Sequence, residues 1–189
     1  MTACFPARLM LLLSLAVAAC GDNSARFLLD TPPPQQKTGV RVSTIEIRDV
    51  TLPAYAAASE IMVQSEDGAL RPVSQAVWAD DPVRAVTLSL ARDLEAVSTA
   101  TVSTEPWPLA DPAQVRIDVR LDRMVARNDG QFQLAGQFAI AAPDGAVRES
   151  INRFDIMQPI AGDTPDAIAR ATSSALLALA RQIAARLGR

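Results

Sequence analysis

Apolar and polar residues alternate most cleanly where Val115, Ile117, Val119 and Leu121 interleave with Arg116, Asp118, Arg120 and Asp122. A period of two puts the aliphatic set on one face of a strand and a ladder of charges on the other, so one face is buried and the other wet. Asn128-Asp129-Gly130 supplies a turn, after which Phe132, Leu134, Phe138 and Ile140 alternate again. Gly136 falls on their phase, and its missing side chain predicts room for a bulky neighbour. Pro143-Asp144-Gly145 turns the chain into a third segment, residues 147–156, whose inward phase slips between Ile151 and Phe154. Three successive strands with short connections predict an antiparallel meander.

Two segments switch to the helical period. Asp81-Pro82 offers a capping carboxylate followed by proline at the first helical position, and Val83, Val86, Leu90, Leu94 and Val97 follow at offsets of three and four. This predicts a helix over residues 82–97. Thr164-Pro165-Asp166 repeats the start signal, ahead of a stripe of Ile168, Thr172, Leu176, Leu179, Ile183 and Leu187. Asp163 and Asp166 lie at the positive end of that second helix, and Arg181, Arg186 and Arg189 near its negative end. Its remaining faces carry Ala171, Ala175, Ala178 and Ala184, which suit close packing under a sheet or against a second subunit.

Between the amino terminus and the first helix the strands are shorter. Val40 and Val42 share one phase while Ile45 and Ile47 take the other, which predicts a bulge near Ser43-Thr44 or burial on both faces. Residues 61–63 and 70–73 flank Asp67-Gly68 as a hairpin, with Pro72 marking the second arm as short or at an edge. Residues 100–103 form a further short strand before Pro106-Trp107-Pro108. A meander between two amphipathic helices predicts an α+β fold: two layers, a mostly antiparallel sheet with both helices packed on one face.

The start of the chain obeys neither period. Arg8 precedes an apolar run, Leu9 to Leu13, and then Val17-Ala18-Ala19-Cys20. The apolar stretch is too short to span a bilayer and ends in small residues, the layout of a cleavable export signal. The last four residues are also similar to a bacterial lipobox, in which the cysteine is acylated and becomes the mature amino terminus. The expected organisation is a lipoprotein signal over 1–19, a lipidated Cys20 with a proline-rich tether over 20–39, and one domain over 40–189. Fully extended, the tether would span roughly 60 Å, less if Phe27-Leu28-Leu29 docks on the body. Gly21 after the cysteine points to the outer membrane, periplasmic face, with Asp22 leaving the inner membrane as the lesser alternative.

Charge and composition remove several function classes. With 18 Lys and Arg against 21 Asp and Glu the net charge is −3, which gives no concentrated basic surface for nucleic acid. Histidine is absent, so the commonest general base and the commonest metal ligand are missing. Cys4 leaves with the signal and Cys20 becomes a thioether, so no disulfide is expected. Lys37, the sole lysine, lies in Lys37-Thr38-Gly39 with Pro34 three places before it, so the match to one β-lactamase box is chance. Asp80-Asp81 is explained by helix capping, and Asp118 and Asp122 by ion pairing with the arginines that alternate with them. No catalytic residue, cofactor site or metal site is predicted. Tyr55, Trp78 and Trp107 stand beside element boundaries and are candidates for either structural packing or partner contact.

Phe27-Leu28-Leu29 after a lipidated cysteine, Leu52-Pro53-Ala54-Tyr55 with Ile61-Met62-Val63, Val77-Trp78-Ala79-Asp80-Asp81-Pro82, Pro106-Trp107 and a late meander occur in that order. Together they resemble the PqiC/YmbA family, auxiliary lipoproteins of ABC-type and MCE-type intermembrane transport systems. The chain departs from the family pattern at Val77, often basic, and at Asp81, often glutamate. The resemblance implies a non-enzymatic docking component on the outer membrane, a homo-oligomeric collar that receives an MCE-domain protein carrying lipid between membranes. A periplasmic lipid-binding carrier is the alternative class, and a hydrolase restricted to carboxylates and serines is a distant third.

Overall fold

The computed structural model describes residues 23–31 and 36–189; Cys20 and the residues expected to form a signal lie outside the described residues. The elements are β1 (Ala25–Phe27), β2 (Thr44–Ile47), β3 (Glu60–Gln64), β4 (Leu70–Trp78), α1 (Pro82–Val97), β5 (Thr101–Thr104), β6 (Val115–Ala126), β7 (Gln131–Ala141), β8 (Ser150–Pro159) and α2 (Pro165–Leu187). Both helices begin where the capping signals placed them. The Asp81 carboxylate accepts from the Arg84 amide at 3.0 Å and the Thr164 hydroxyl oxygen from the Ala167 amide at 3.2 Å, each with proline at the start of the helix.

β6 is the spine of the sheet. One edge pairs along its length with β7, which pairs in turn with β8, and these two ladders form the expected antiparallel meander. Its other edge is shared end to end: β2 occupies Val115 to Ile117, Thr51 bridges Arg120, and β3 reaches Ala126. The sheet therefore forks, one branch continuing to β5 and the other through β4 to β1. Two-layer α+β architecture is as expected, but the sheet is mixed. β1–β4, β2–β5, β2–β6 and β3–β6 are parallel, against β3–β4, β6–β7 and β7–β8 antiparallel. Those parallel pairs are short and distant in sequence, joined by crossovers that local periodicity does not report.

Of the expected irregularities, one of the two alternatives for β2 is met and the slip in β8 is not. Ile45, Glu46 and Ile47 are all buried in β2, so burial on both faces, rather than a bulge, explains the mixed phase. β8 pairs with β7 without interruption, and Ile151 simply points outward, 72 % exposed, so the slip before Phe154 does not occur. β4 runs nine residues despite Pro72, and its far half is covered by β1. Pro72 stands ahead of the β1 pairing, where the missing amide leaves no gap in the β1 ladder.

The one bulge in β6 lies between Leu121 and Arg123. Asp122 and Arg123 both face outward there, so the inward set shifts from Val115, Ile117, Val119 and Leu121 to Met124 and Ala126. Gly136 of β7 lies opposite Leu121, and a β-carbon at Gly136 would stand 2.2 Å from the Arg120 carbonyl oxygen and 2.9 Å from the Leu121 Cα. The glycine admits a neighbouring backbone, not the bulky side chain expected from its phase.

α2 packs on β7 and β8, α1 on β5, and the two helices on each other. Val86, Leu90, Leu94 and Val97 of α1 and the full predicted stripe of α2 are buried. Ala171, Ala175 and Ala184 are also buried within the chain, so the alanine-rich faces serve close approach between α2 and its own sheet and helix neighbours. Each fully buried leucine or isoleucine in this layer contributes about 1.5–3 kcal/mol.

Candidate functional site

Of the residues ahead of β2, those at 25–31 and 38–41 are bound into the fold. β1 adds to the edge of β4 with Phe27 beside Trp78, and the Ala79 amide donates to the Phe27 carbonyl at 2.9 Å. The strand leads into a strap across α1. Arg92 donates through Nη2 to the Leu29 carbonyl at 3.2 Å and the Thr31 hydroxyl donates to the Asp93 carboxylate at 3.3 Å. Beyond the helix the Thr38 amide donates to the Val97 carbonyl at 2.6 Å. Counting from Ala25 back to Cys20, five residues would bridge at most about 18 Å to a lipid on that cysteine.

Asp93 is the buried titratable group of this strap, 3 % exposed on the packed side of α1. Burial raises its carboxyl to about 6, opposed by the Thr31 hydrogen bond and by the charges of Arg92 and Arg181. An acid bound more tightly by its proton in the folded state favours folding at low pH, so this contribution falls as pH rises from about 4 through about 6. Asp93→Asn is expected to stabilise the domain by about 1–2 kcal/mol at neutral pH, after discounting for solvent and nearby arginines, and hardly at all near pH 4. Urea unfolding at both pH values checks this; an equal effect at both would remove the ionisation as its cause.

Tyr55 and Trp78 come together, and Trp107 does not join them. Tyr55, Trp78, Met62, Met124, Phe132 and Ile168 surround a residual space of about 10 Å³, less than a water molecule requires. The Tyr55 hydroxyl oxygen accepts from the Met124 amide at 3.1 Å, just past the β6 bulge, and Trp78 is 7 % exposed. Both are thereby packed residues of the junction where β3, β4 and β6 meet α2. Trp107 is half-buried in the β5–β6 loop and its indole N–H donates to the Asp111 carbonyl at 2.8 Å, closing that loop on itself. The loop is pinned at its start, where Glu105 accepts from the Asp49 amide at 2.9 Å and from Arg48 at 3.2 Å. Those contacts, the amide first, hold the Glu105 carboxyl below its usual range.

On the outer face of the sheet the expected pairing of Asp118 and Asp122 with the alternating arginines holds for Asp118 alone; Asp122 meets no arginine within salt-bridge distance among the described residues. Arg116 meets Glu46 at 2.7 Å and Arg120 meets Asp118 at 3.1 Å. Asp80 pairs with Arg84, so Asp80-Asp81 is a capping and pairing unit. Among the described residues no group of three or more histidine, cysteine, aspartate or glutamate side chains is arranged to hold a metal. Sequence reasoning gave Arg186 and Arg189 only a helix-end role and passed over Arg41, Arg148 and Arg153. All five line hollows at the carboxyl end of α2, a gathering that no local spacing reveals because four separate segments contribute.

This forked sheet with two helices on one face also occurs in solved structures. A crystal structure of an uncharacterized protein superposes with a TM-score of 0.66 at 15 % identity, covering 80 % of this chain and 98 % of that one. Protein XCC0632 from Xanthomonas campestris does so with a TM-score of 0.63 at 16 % identity, covering 85 % and 91 %. At such identities the likeness establishes the fold. No curated protein matches the chain. Residues 27–184 match the family of ABC-type transport auxiliary lipoprotein components. The chain belongs to that family, as the ordered motifs around Tyr55, Trp78 and Trp107 predicted.

Proposed function

We propose that the chain is a docking and assembly component of an MCE-type intermembrane lipid transport system, held on the periplasmic face of the outer membrane by acylated Cys20. Membership of the transport auxiliary lipoprotein family carries this reading. The sequence Val17-Ala18-Ala19-Cys20 supports the anchor. The start of β1 so soon after Cys20 supports a body that rides close to the lipid surface, far nearer than an extended tether of residues 20–39 would hold it. Among the described residues no helix is long and apolar enough to cross a membrane, which leaves attachment to the lipid in this reading.

The role is non-enzymatic, and its partner is an MCE-domain protein, gripped by a homo-oligomeric collar of these chains. The packing around Tyr55 and Trp78 leaves no room there for an acyl chain, which favours docking over a carrier that encloses lipid at that junction. Purification of the chain from detergent-solubilised envelopes is expected to bring the MCE-domain protein and its ABC permease with it. An eluate holding bound phospholipid and neither protein would replace docking with the carrier reading.

A further inference from the structure

The carboxyl end of α2 gathers arginines that meet no carboxylate among the described residues. Elsewhere among the described residues seven arginines meet carboxylates, Arg116 with Glu46 and Arg127 with Asp129 among them, while Arg92, Arg123 and Arg181 stand singly without one. Arg41, Arg148, Arg153, Arg186 and Arg189 have no carboxylate within salt-bridge distance among the described residues. All five line two adjoining hollows of about 510 and 190 Å³, which share Arg186 and Arg189. Glu149 supplies the one carboxylate side chain in the lining, and it accepts from the Ala142 amide at 3.0 Å.

Complementing the negative end of the helix accounts for Arg186 and Arg189. It does not account for the other three. Arg41 arrives from the segment before β2, where its amide donates to the Leu187 carbonyl at 3.1 Å. Arg148 comes from the β7–β8 loop and Arg153 from the edge strand β8. Bringing like charges together from separate segments costs Coulomb energy unless an anion offsets it. In a chain of net charge −3, such a concentration of cations is local, not a reflection of composition. Guanidinium groups present planar forks that match phosphate oxygens two at a time, and Val147 and Phe138 add apolar wall beside them.

We infer that this arginine-lined cleft binds a phosphate group, either free on a small molecule or on the headgroup of a phospholipid. Its position separates it from the anchor. Ile168, in the first turn of α2, packs beside Trp78 and hence near β1, whereas the cleft stands at the other end of a 23-residue helix. At 1.5 Å per residue that is about 34 Å. The cleft therefore opens at the end of the body away from where the chain leaves toward Cys20. This inference stands apart from the docking proposal, because the arginine geometry is independent of any MCE partner.

Calorimetric titration of the full detergent-purified chain tests it, with inorganic phosphate, glycerol phosphate and short-chain phosphatidylglycerol as separate probes and acetate as the comparison anion. Binding of the first two identifies a free phosphate as sufficient; binding of the phosphatidylglycerol alone identifies the lipid headgroup. Either result is expected to weaken at least about tenfold in Arg148→Gln/Arg186→Gln, whose side chains are exposed and whose loss leaves the core intact. Arg71→Gln, which removes the partner of Asp67 elsewhere on the surface, should leave affinity unchanged. No binding of any probe, acetate binding as tightly as phosphate, or a double variant that binds like the parent would overturn the inference.

Discussion

Gly136→Ala is expected to cost the domain about 3 kcal/mol or more, a large share of the roughly 5–15 kcal/mol that holds a domain of this size together. The added methyl would fall 2.2 Å from the Arg120 carbonyl oxygen and 2.9 Å from the Leu121 Cα. Neither atom belongs to a side chain that can rotate away. Relief requires β6 and β7 to separate at the bulge, where the Leu121–Gly136 and Arg123–Ala135 pairs flank the irregularity. Separation there would also disturb Phe154, opposite Gly136 on β8, and the Met124 amide that the Tyr55 hydroxyl satisfies. Urea unfolding should show a lower midpoint with an unchanged slope, or no folded protein at all. A loss below about 1 kcal/mol would mean that the bulge relaxes freely, and the close approach would lose its structural meaning.

The contrast between what the sequence reveals and what it hides follows from the range of each interaction. Asp81-Pro82 and Thr164-Pro165 declare helix starts through neighbours within one turn, and the structure places both helices there. Alternation from Val115 reports one face of one strand, so the meander was legible too. The β6 bulge was not, because the doubled outward pair Asp122-Arg123 reads simply as the end of a pattern. Pairing of β2 with β5 and β6 joins residues far apart in sequence, which no local period records. The same reason hid the docking of residues 25–31 on β4 and α1 and the meeting of five arginines around the end of α2. Tyr55 and Trp78 were found as boundary aromatics, yet only their shared packing with Met124 and Ile168 separates a structural role from an exposed contact. Trp78 is buried and Tyr55 half-buried, its hydroxyl taken by the Met124 amide.

Cys20→Ala carries the largest expected effect on location. An acyl chain contributes about 0.8 kcal/mol for every methylene buried in lipid, and a thioether-linked diacylglycerol with an added amide-linked chain supplies three chains on one residue. Under the proposed anchoring, alanine would remove the acceptor of the first and block the processing that exposes the amine for the last. The contacts that hold the described start of the chain, β1 with β4 and Thr31 with Asp93, lie inside the body and do not involve Cys20. The change should therefore alter attachment and leave thermal stability of the body as it was.

The most direct test of an anchored docking protein combines both halves of that expectation in one fractionation. Cells expressing Cys20→Ala are separated into membrane and soluble envelope fractions, and the variant is purified and probed for the MCE-domain protein. The account predicts that the parent chain sediments with the membrane, that the variant loses that attachment to lipid, and that the purified variant still retains the MCE-domain protein. A variant that sediments in lipid as firmly as the parent, or one that is folded and retains no transport protein, would contradict it.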